Sequence, residues 1–210
     1  GRGVAWAANK LGQKAVVLMP KGSTQTRLNN IRKEGATATI EECNYDECVR
    51  MAADMAARTE HGIIVQDTAW DGYEEIPAWI MQGYSTMAME AGEQLKAQGC
   101  ERPTHIFVQA GVGSLAGAVV GYFSNLYADN LPTFVVVEAE AAACLYKGAA
   151  AGESGAAPFG ALAAMMTMDE YKDLRNDIGL DENSKVLLFS TEGDTDPDRY
   201  KNIVWKGLDK

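Results

Sequence analysis

Apolar and polar positions follow two different periods along the chain, and they divide it into helices and buried strands. Short apolar runs such as AVVLMP, IIVQD, THIFVQA and FVVVEAE are typical of strands buried on both faces of a sheet. Between them lie segments such as STQTRLNNIRKEG and NYDECVRMAADMAARTEHG, whose apolar residues recur at helical spacing. KVLLFS predicts a last strand. This alternation predicts an α/β fold in which a mostly parallel sheet is covered by helices on both faces, a three-layer arrangement.

Local signals set the expected ends of the helices. A short polar side chain caps a helix by accepting a backbone hydrogen bond, so we expect Ser23 or Thr24 to cap the second helix and Asn44 or Asp46 the third. Proline is tolerated in a first turn, which predicts that the long fourth helix begins near Pro77. The run KGAAAGESGAAP lacks such order, and it fits either a flexible linker or a place where sequence is missing.

Composition excludes some partners and leaves small polar ligands open. The 210 residues carry a formal net charge of -10, which leaves no basic face for a nucleic acid or an anionic membrane. No run is long and apolar enough to span a bilayer, and the two histidines form no paired metal-ligand motif. Without a C-x-x-C spacing, the four cysteines predict reduced thiols in a cytoplasmic protein with no metal site. They are Cys43, Cys48, Cys100 and Cys144.

The glycine-rich segment AGVGSLAG is the exit of a predicted strand, that is, the loop that follows its carboxyl end. Open parallel sheets bind their ligands at such exits. Gly111 and Gly113 let backbone amides approach an anion closely, and Ser114 stands where the next helix begins. A tight turn without any ligand explains the same glycines. With Ala116 they also satisfy G-x-G-x-x-[GA], and Glu138 ends the next strand, which keeps a nicotinamide cofactor open. Against that alternative, Glu138 lies beyond the usual interval of about 20 residues.

Two other exits carry acids and hydroxyls. QDTAWDGYEEIP offers the carboxylates of Asp67 and Asp71 beside Trp70 and Tyr73, and a carboxylate among aromatic side chains is a candidate general base. A cap at Asp67 and a plain turn at Asp71 explain the same residues, and the pattern alone favours that explanation. The exit STEGDTD could hydrogen-bond a heterocycle or simply be solvated.

Several long stretches, taken together, are more distinctive than any of these loops. GRGVAWAANKLGQKAVVLMPKGS, VQDTAWDGYEEIPAWIMQGY, THIFVQAGVGSLAGAVVGY and FSTEGDTDPDRY follow one another across nearly the whole chain. On these stretches the chain resembles the fold type II family of pyridoxal-phosphate enzymes, whose architecture is like that of tryptophan synthase β. Within that family it resembles the ammonia-lyases that act on 2,3-diaminopropionate. The resemblance implies a smaller α/β domain over 1–72 and a larger one over 73–210, each incomplete.

The resemblance also implies roles for particular residues. Backbone amides of one loop would hold the phosphate of pyridoxal 5'-phosphate, namely those of Gly111, Val112, Gly113, Ser114 and Leu115. Ser190, with Thr191 beside it, matches the hydroxyl position that faces the pyridine nitrogen, and Asp67 matches the acid that takes the α-proton. Asp194 and Asp196 are possible contacts of the substrate amine. The implied reaction is α,β-elimination of 2,3-diaminopropionate to pyruvate and ammonia by a homodimer.

The chain departs from the family pattern at two places. The Schiff-base lysine of the family precedes a T-D-G-N-H motif, and this chain begins just after the place of that motif; none of Lys10, Lys14 or Lys21 stands where that lysine would. A long stretch expected near Gly152 and Glu153 is also missing. We therefore expect these residues alone to be inactive. A nicotinamide-dependent oxidoreductase, a threonine or serine dehydratase and a non-catalytic domain remain as alternatives.

Overall fold

The computed structural model of this chain describes residues 1–138 and 155–191. The chain divides into two compact units, Gly1–Gln66 and Asp67–Lys210. Every strand pairing among the described residues is parallel, and helices separate successive strands, which confirms the predicted α/β class. The division into domains over 1–72 and 73–210 stays a prediction.

The first unit is built on a two-stranded parallel sheet. Its elements in chain order are α1 (Arg2–Lys10), β1 (Val16–Met19), α2 (Gln25–Lys33), β2 (Thr37–Ile40) and α3 (Tyr45–Arg58). β1 and β2 pair in register from Val16 opposite Thr37 to Met19 opposite Ile40. Leu28 and Ile31 of α2 pack with Ala5 of α1 and Ala38 of β2 to form its buried core.

The polar caps expected in this unit are present. Thr24 accepts a hydrogen bond from the Arg27 N–H at 3.3 Å and caps α2. Asn44 caps α3 within a capping box that also includes Glu47. Gly35 follows α2 with φ +92°, a left-handed conformation that glycine adopts without steric cost and that ends the helix. The caps set the start of each helix from its own sequence.

The second unit is built on a three-stranded parallel sheet in the order β4-β3-β5. Its elements before the undescribed residues 139–154 are α4 (Glu75–Ala97), β3 (His105–Gln109), α5 (Ser114–Leu126) and β4 (Thr133–Val137). After them come α6 (Ala157–Thr167), a 3₁₀ turn (Asp169–Tyr171), α7 (Lys172–Asp177) and β5 (Val186–Leu188). In this unit α4 contains Pro77 in its first turn, close to the predicted start.

The central strand β3 anchors the second unit. All five of its residues are buried, so both of its faces are covered, and α5 and α6 both contact it. Phe123 of α5 and Phe189 after β5 belong to the same buried cluster as Ile106 and Val108. α4 approaches α5 closely at Gly92, where an added Cβ would lie 3.6 Å from Leu126 Cδ2. The same cluster includes Ala116, near the beginning of α5, and packs this helix against β3.

The prediction of a strand over IIVQD is wrong. Residues 63–67 form neither helix nor strand, and Ile63 is 73% exposed. The boundary between the two units falls after Gln66, so the run connects units instead of entering a described sheet. A short apolar run does not by itself distinguish a buried strand from a connecting segment. Within the described residues, no helix combines the length and apolar character needed to cross a membrane.

Candidate active site

The carboxyl ends of the three strands in the second unit lie at one edge of the sheet. β3 pairs in parallel with β4, from His105 opposite Thr133, and with β5, from His105 opposite Val186. The glycine loop follows β3, Glu138 follows β4, and Ser190 follows β5. Parallel pairing therefore brings three of the sequence-predicted exits to the edge where such sheets bind ligands.

The glycine loop is open around both of its glycines. Gly113 has φ +95°, a left-handed conformation that costs an L-residue about 1–2 kcal/mol. A Cβ added at Gly111 or at Gly113 would meet no atom within 4 Å. Residues 111–113 are exposed, whereas Ser114 is buried. The loop thus presents bare backbone to a space that no described side chain fills.

Helix α5 begins in this loop without a side-chain cap. Gly113 is the N-cap residue, and it has no side chain with which to accept a hydrogen bond. The first N–H that bonds back along the chain is that of Gly117, which donates to the Gly113 carbonyl at 2.8 Å. The N–H groups ahead of it point along the axis at the positive end of the helix dipole. An anion at this position accepts hydrogen bonds from N–H groups that have no partner within the helix.

Ser114 links the start of α5 to the candidate acid. Its hydroxyl donates to the main-chain carbonyl of Asp67 at 2.5 Å, and Ser114 is only 6% exposed. Because the hydroxyl is used there, it does not cap α5. The structure therefore brings Asp67 beside the glycine loop, although the two are 47 residues apart in sequence.

Around Asp67 the segment carries aromatic side chains. Burial and the nearby Asp67 carboxylate raise the pKa of the half-buried Tyr84 hydroxyl on α4. Trp70 and Tyr73 stack on each other with ring centroids 4.2 Å apart. Between them the chain turns at Gly72, with φ +82°, and the Tyr73 N–H donates to the Trp70 carbonyl at 2.8 Å. Asp67 is partly shielded from solvent, whereas Asp71 in this turn is exposed.

Gln109 was not anticipated as a site residue. It ends β3 and is 7% exposed, and its Nε2 donates to the Thr191 hydroxyl at 2.7 Å. Among the described residues, its Oε1 is buried without a hydrogen-bond partner, an arrangement that is uncommon in folded proteins. The sequence held one signal for it, a glutamine in the otherwise apolar strand core IFVQA directly before the glycine loop. The Gln109 side chain therefore links the end of β3 to the loop that follows β5.

Ser190 and Thr191 lie at the exit of β5, and both are exposed. Ser190 lines a groove of about 280 Å³ whose walls come from α4 and β5. The walls include Met87, Ala91, Gln94 and Leu188. No residue of the glycine loop lines this groove, so it is distinct from the open space at Gly111 and Gly113.

Some predicted residues are not brought into this arrangement. Asp194 and Asp196 lie outside the described residues. Glu138 is exposed at the end of β4. In the described ranges 1–138 and 155–191, no three or more His, Cys, Asp and Glu side chains are grouped so as to hold a metal ion.

A parallel α/β unit with an uncapped glycine loop at the carboxyl edge of its sheet is typical of proteins that bind a phosphorylated ligand. The comparisons with known proteins narrow this class. A sequence model described as "Pyridoxal-phosphate dependent enzyme" matches residues 1–184. The chain belongs to this family of pyridoxal-phosphate-dependent enzymes.

Within the family, the strong matches are to one kind of enzyme. The diaminopropionate ammonia-lyase of Salmonella typhimurium is 42% identical over 274 residues, which cover 99% of this chain and 68% of that protein. The crystal structure of Escherichia coli diaminopropionate ammonia-lyase in apo form superposes with a TM-score of 0.87 and 40% identity, covering 98% of this chain and 66% of that one.

The same E. coli enzyme in complex with an aminoacrylate-PLP azomethine reaction intermediate superposes with a TM-score of 0.86 and 37% identity, covering 99% of this chain and 69% of that one. Threonine and serine dehydratases match at lower identity and over a smaller part of the chain.

This chain is shorter than its relatives, and part of the difference lies inside the matched region. The chain spans about two thirds of the length of these relatives. The match to the Salmonella enzyme runs over 274 residues, 64 more than the 210 of this chain. That relative therefore contains additional residues inside the matched region. This agrees with the expectation that family members carry a stretch that this chain lacks internally.

Proposed function

We propose that the protein is a pyridoxal-phosphate-dependent ammonia-lyase that converts 2,3-diaminopropionate to pyruvate and ammonia. The observation that carries this proposal is the 42% identity to a diaminopropionate ammonia-lyase along 99% of the chain. The nicotinamide alternative with Glu138 is not favoured, because the family that matches is defined by pyridoxal phosphate. The dehydratase alternative is not favoured either, because those enzymes match less of the chain at lower identity.

The glycine loop fits the phosphate of this cofactor. A phosphate needs several N–H donors and a close approach to the backbone, and both are present where α5 begins uncapped. The open space at Gly111 and Gly113 is the volume that a side chain would otherwise fill. We assign phosphate binding to the backbone of the loop, which consists of Gly111, Val112, Gly113, Ser114 and Leu115.

The exit of β5 fits the other end of the cofactor. We assign the contact with the pyridine nitrogen to the Ser190 hydroxyl, with Thr191 beside it. A neutral hydroxyl does not stabilise a protonated ring nitrogen as a carboxylate would. The Gln109 amide donates to Thr191 at 2.7 Å and orients that hydroxyl. The unpartnered Oε1 of Gln109 remains available to accept a hydrogen bond at the same edge.

We assign the removal of the substrate α-proton to Asp67. When bound, pyridoxal phosphate withdraws electrons from the α-carbon of an amino acid and so makes its proton removable. The Asp67 carboxylate then accepts this proton as a general base, and the Ser114 hydroxyl fixes its backbone beside the phosphate loop. Asp194 and Asp196 are proposed to hold the amino groups of the substrate. The resemblance further predicts a homodimer in the cytoplasm.

Pyruvate release by the full-length protein supplied with pyridoxal phosphate tests this proposal. We expect turnover of 2,3-diaminopropionate in preference to threonine and serine. Asp67→Asn should lower kcat by about 10²–10⁴-fold, because a positioned base contributes that much, while the absorbance of the bound cofactor is retained. Asp71→Asn, an exposed carboxylate in the neighbouring turn, is the matched control and should leave turnover unchanged.

Three outcomes would contradict the proposal in different ways. Preferred turnover of threonine or serine would identify a dehydratase. Full activity of Asp67→Asn would remove Asp67 from its assigned role without touching the substrate assignment. A protein that never binds pyridoxal phosphate would overturn the function as a whole.

A further inference from the structure

Three sulfur atoms meet where α3 begins, in the first unit. Cys43 Sγ lies 3.4 Å from Cys48 Sγ and 3.9 Å from Met51 Sδ. The residues follow the spacing C-x₄-C-x₂-M. This group, the sulfur cluster, is unrelated to the glycine loop, and the proposed lyase activity does not use it.

Local backbone structure explains why the sulfurs meet. Asn44 accepts a hydrogen bond from the Glu47 N–H at 2.9 Å, and the Glu47 carboxylate accepts one from the Asn44 N–H at 3.1 Å. This capping box puts Cys43 just before the N-cap and Cys48 at the fourth helical position, two positions whose side chains pack against each other. Met51 lies one turn further along the same face of α3 as Cys48. The capped helix thus organises the cluster in advance.

The cluster is buried on one side and open on the other. Cys48 is 3% exposed, Cys43 is half-buried and Met51 is 40% exposed. A buried ligand anchors an ion, whereas two more accessible ligands let it enter. The cluster therefore has both a fixed base and an entry path.

We propose that Cys43, Cys48 and Met51 form a binding site for Cu(I). Two thiolates and one thioether are the soft ligands that select this ion, whereas structural zinc takes four ligands and no thioether. Metal-sulfur bonds of about 2.3 Å in a trigonal arrangement put the sulfurs about 4 Å apart, close to the observed separations. Binding releases two thiol protons to solvent and changes no oxidation state.

Competition for Cu(I) against a chromophoric chelator, under anaerobic and reducing conditions, tests the site in the 210-residue chain. We expect one tight site per chain. Cys43→Ser should weaken it by about 100-fold or more, because even second-shell partners of a metal site contribute about 10–100-fold. Met51→Leu keeps the side-chain volume and should weaken it less, by roughly 10-fold. The control is Cys100→Ser combined with Cys144→Ser, which should bind like the unaltered chain.

Two results would overturn the proposal. Cu(I) affinity unchanged in both Cys43→Ser and Met51→Leu would exclude the cluster, and affinity lost in the Cys100 and Cys144 control would place the ion elsewhere. The half-buried Cys43 and the volume-preserving change at Met51 keep α3 intact, which far-ultraviolet circular dichroism checks. None of these readouts depends on lyase activity.

Discussion

Helices α3 and α5 begin in opposite ways. At the start of α3, the Asn44 and Glu47 side chains satisfy backbone donors in a closed capping box. At the start of α5, Gly113 offers no side chain, and the hydroxyl of the adjacent Ser114 donates to the Asp67 carbonyl instead. The N-terminal N–H groups of α3 are bonded by its own cap, whereas those of α5 are left for a partner outside the helix.

A capped helix start stabilises its own helix, whereas an uncapped start leaves N–H groups that can bind an anion. A cap contributes about 1 kcal/mol to the helix that carries it. An uncapped start gives up that contribution and keeps the N–H groups free for an anion. A left-handed glycine at the start of α5 and open space around it add to this arrangement. Substitutions at each helix start should accordingly change different measurable quantities.

The largest effect is expected for Gly111→Ala. Gly111 has no positive φ, and an added methyl group meets no atom, so the free energy of unfolding should not fall. The methyl group would occupy the space proposed for the phosphate. Affinity for pyridoxine 5'-phosphate, which lacks the reactive aldehyde, should fall by about 10-fold or more, because one charge-assisted hydrogen bond contributes roughly 1.5–3 kcal/mol.

Calorimetric titration with pyridoxine 5'-phosphate measures this, and pyridoxine without its phosphate is the matched ligand control. Affinity for pyridoxine should not depend on Gly111. Equal binding of both ligands to the unaltered chain, or an unchanged affinity in Gly111→Ala, would remove the loop from phosphate binding.

A smaller effect is expected for Asn44→Ala, and on stability alone. Removal of the cap should cost about 1 kcal/mol of the free energy of unfolding in urea. Amide hydrogen exchange in α3 should become faster, while affinity for pyridoxine 5'-phosphate stays the same. A loss of affinity without a loss of stability would show that the two helix starts do not differ in the way described.

The smallest effect is expected for Gly121→Ala, in the middle of α5. Gly121 is exposed, and an added methyl group meets no atom within 4 Å. Alanine at this position should raise the free energy of unfolding by roughly 0.5–1 kcal/mol. Because it stabilises the same helix without touching the loop, it also controls for Gly111→Ala. A change in phosphate affinity here would mean that helix stability, not the open loop, governs binding.

Features determined by neighbouring residues could be predicted from the sequence. The caps at Thr24 and Asn44 were among the expected pairs, since a short polar side chain acts on a backbone N–H only three residues away. Parallel strands were predictable because alternation with helices leaves few other arrangements. The glycine loop was recognisable as a candidate, although its letters alone fitted a simple turn equally well.

Features determined by distant residues could not be predicted. The bond from Ser114 to Asp67 spans 47 residues, and the bond from Gln109 to Thr191 spans 82. The strand expected over IIVQD failed for the same reason, because an apolar run becomes a strand only if another strand pairs with it. The sulfur cluster is a local structure, but its sequence was not recognised as a metal site. The motifs searched for consist of cysteine and histidine, and this cluster includes a methionine.

The 82-residue interval between Gln109 and Thr191 has a consequence for the order of events during synthesis. The glycine loop and α5 leave the ribosome well before β5, whose exit carries the hydroxyls proposed for the ring nitrogen. Domains generally begin to fold from the amino-terminal side as they emerge. One end of the proposed cofactor site is therefore synthesised before the other, and the proposed site is complete only once β5 pairs with β3.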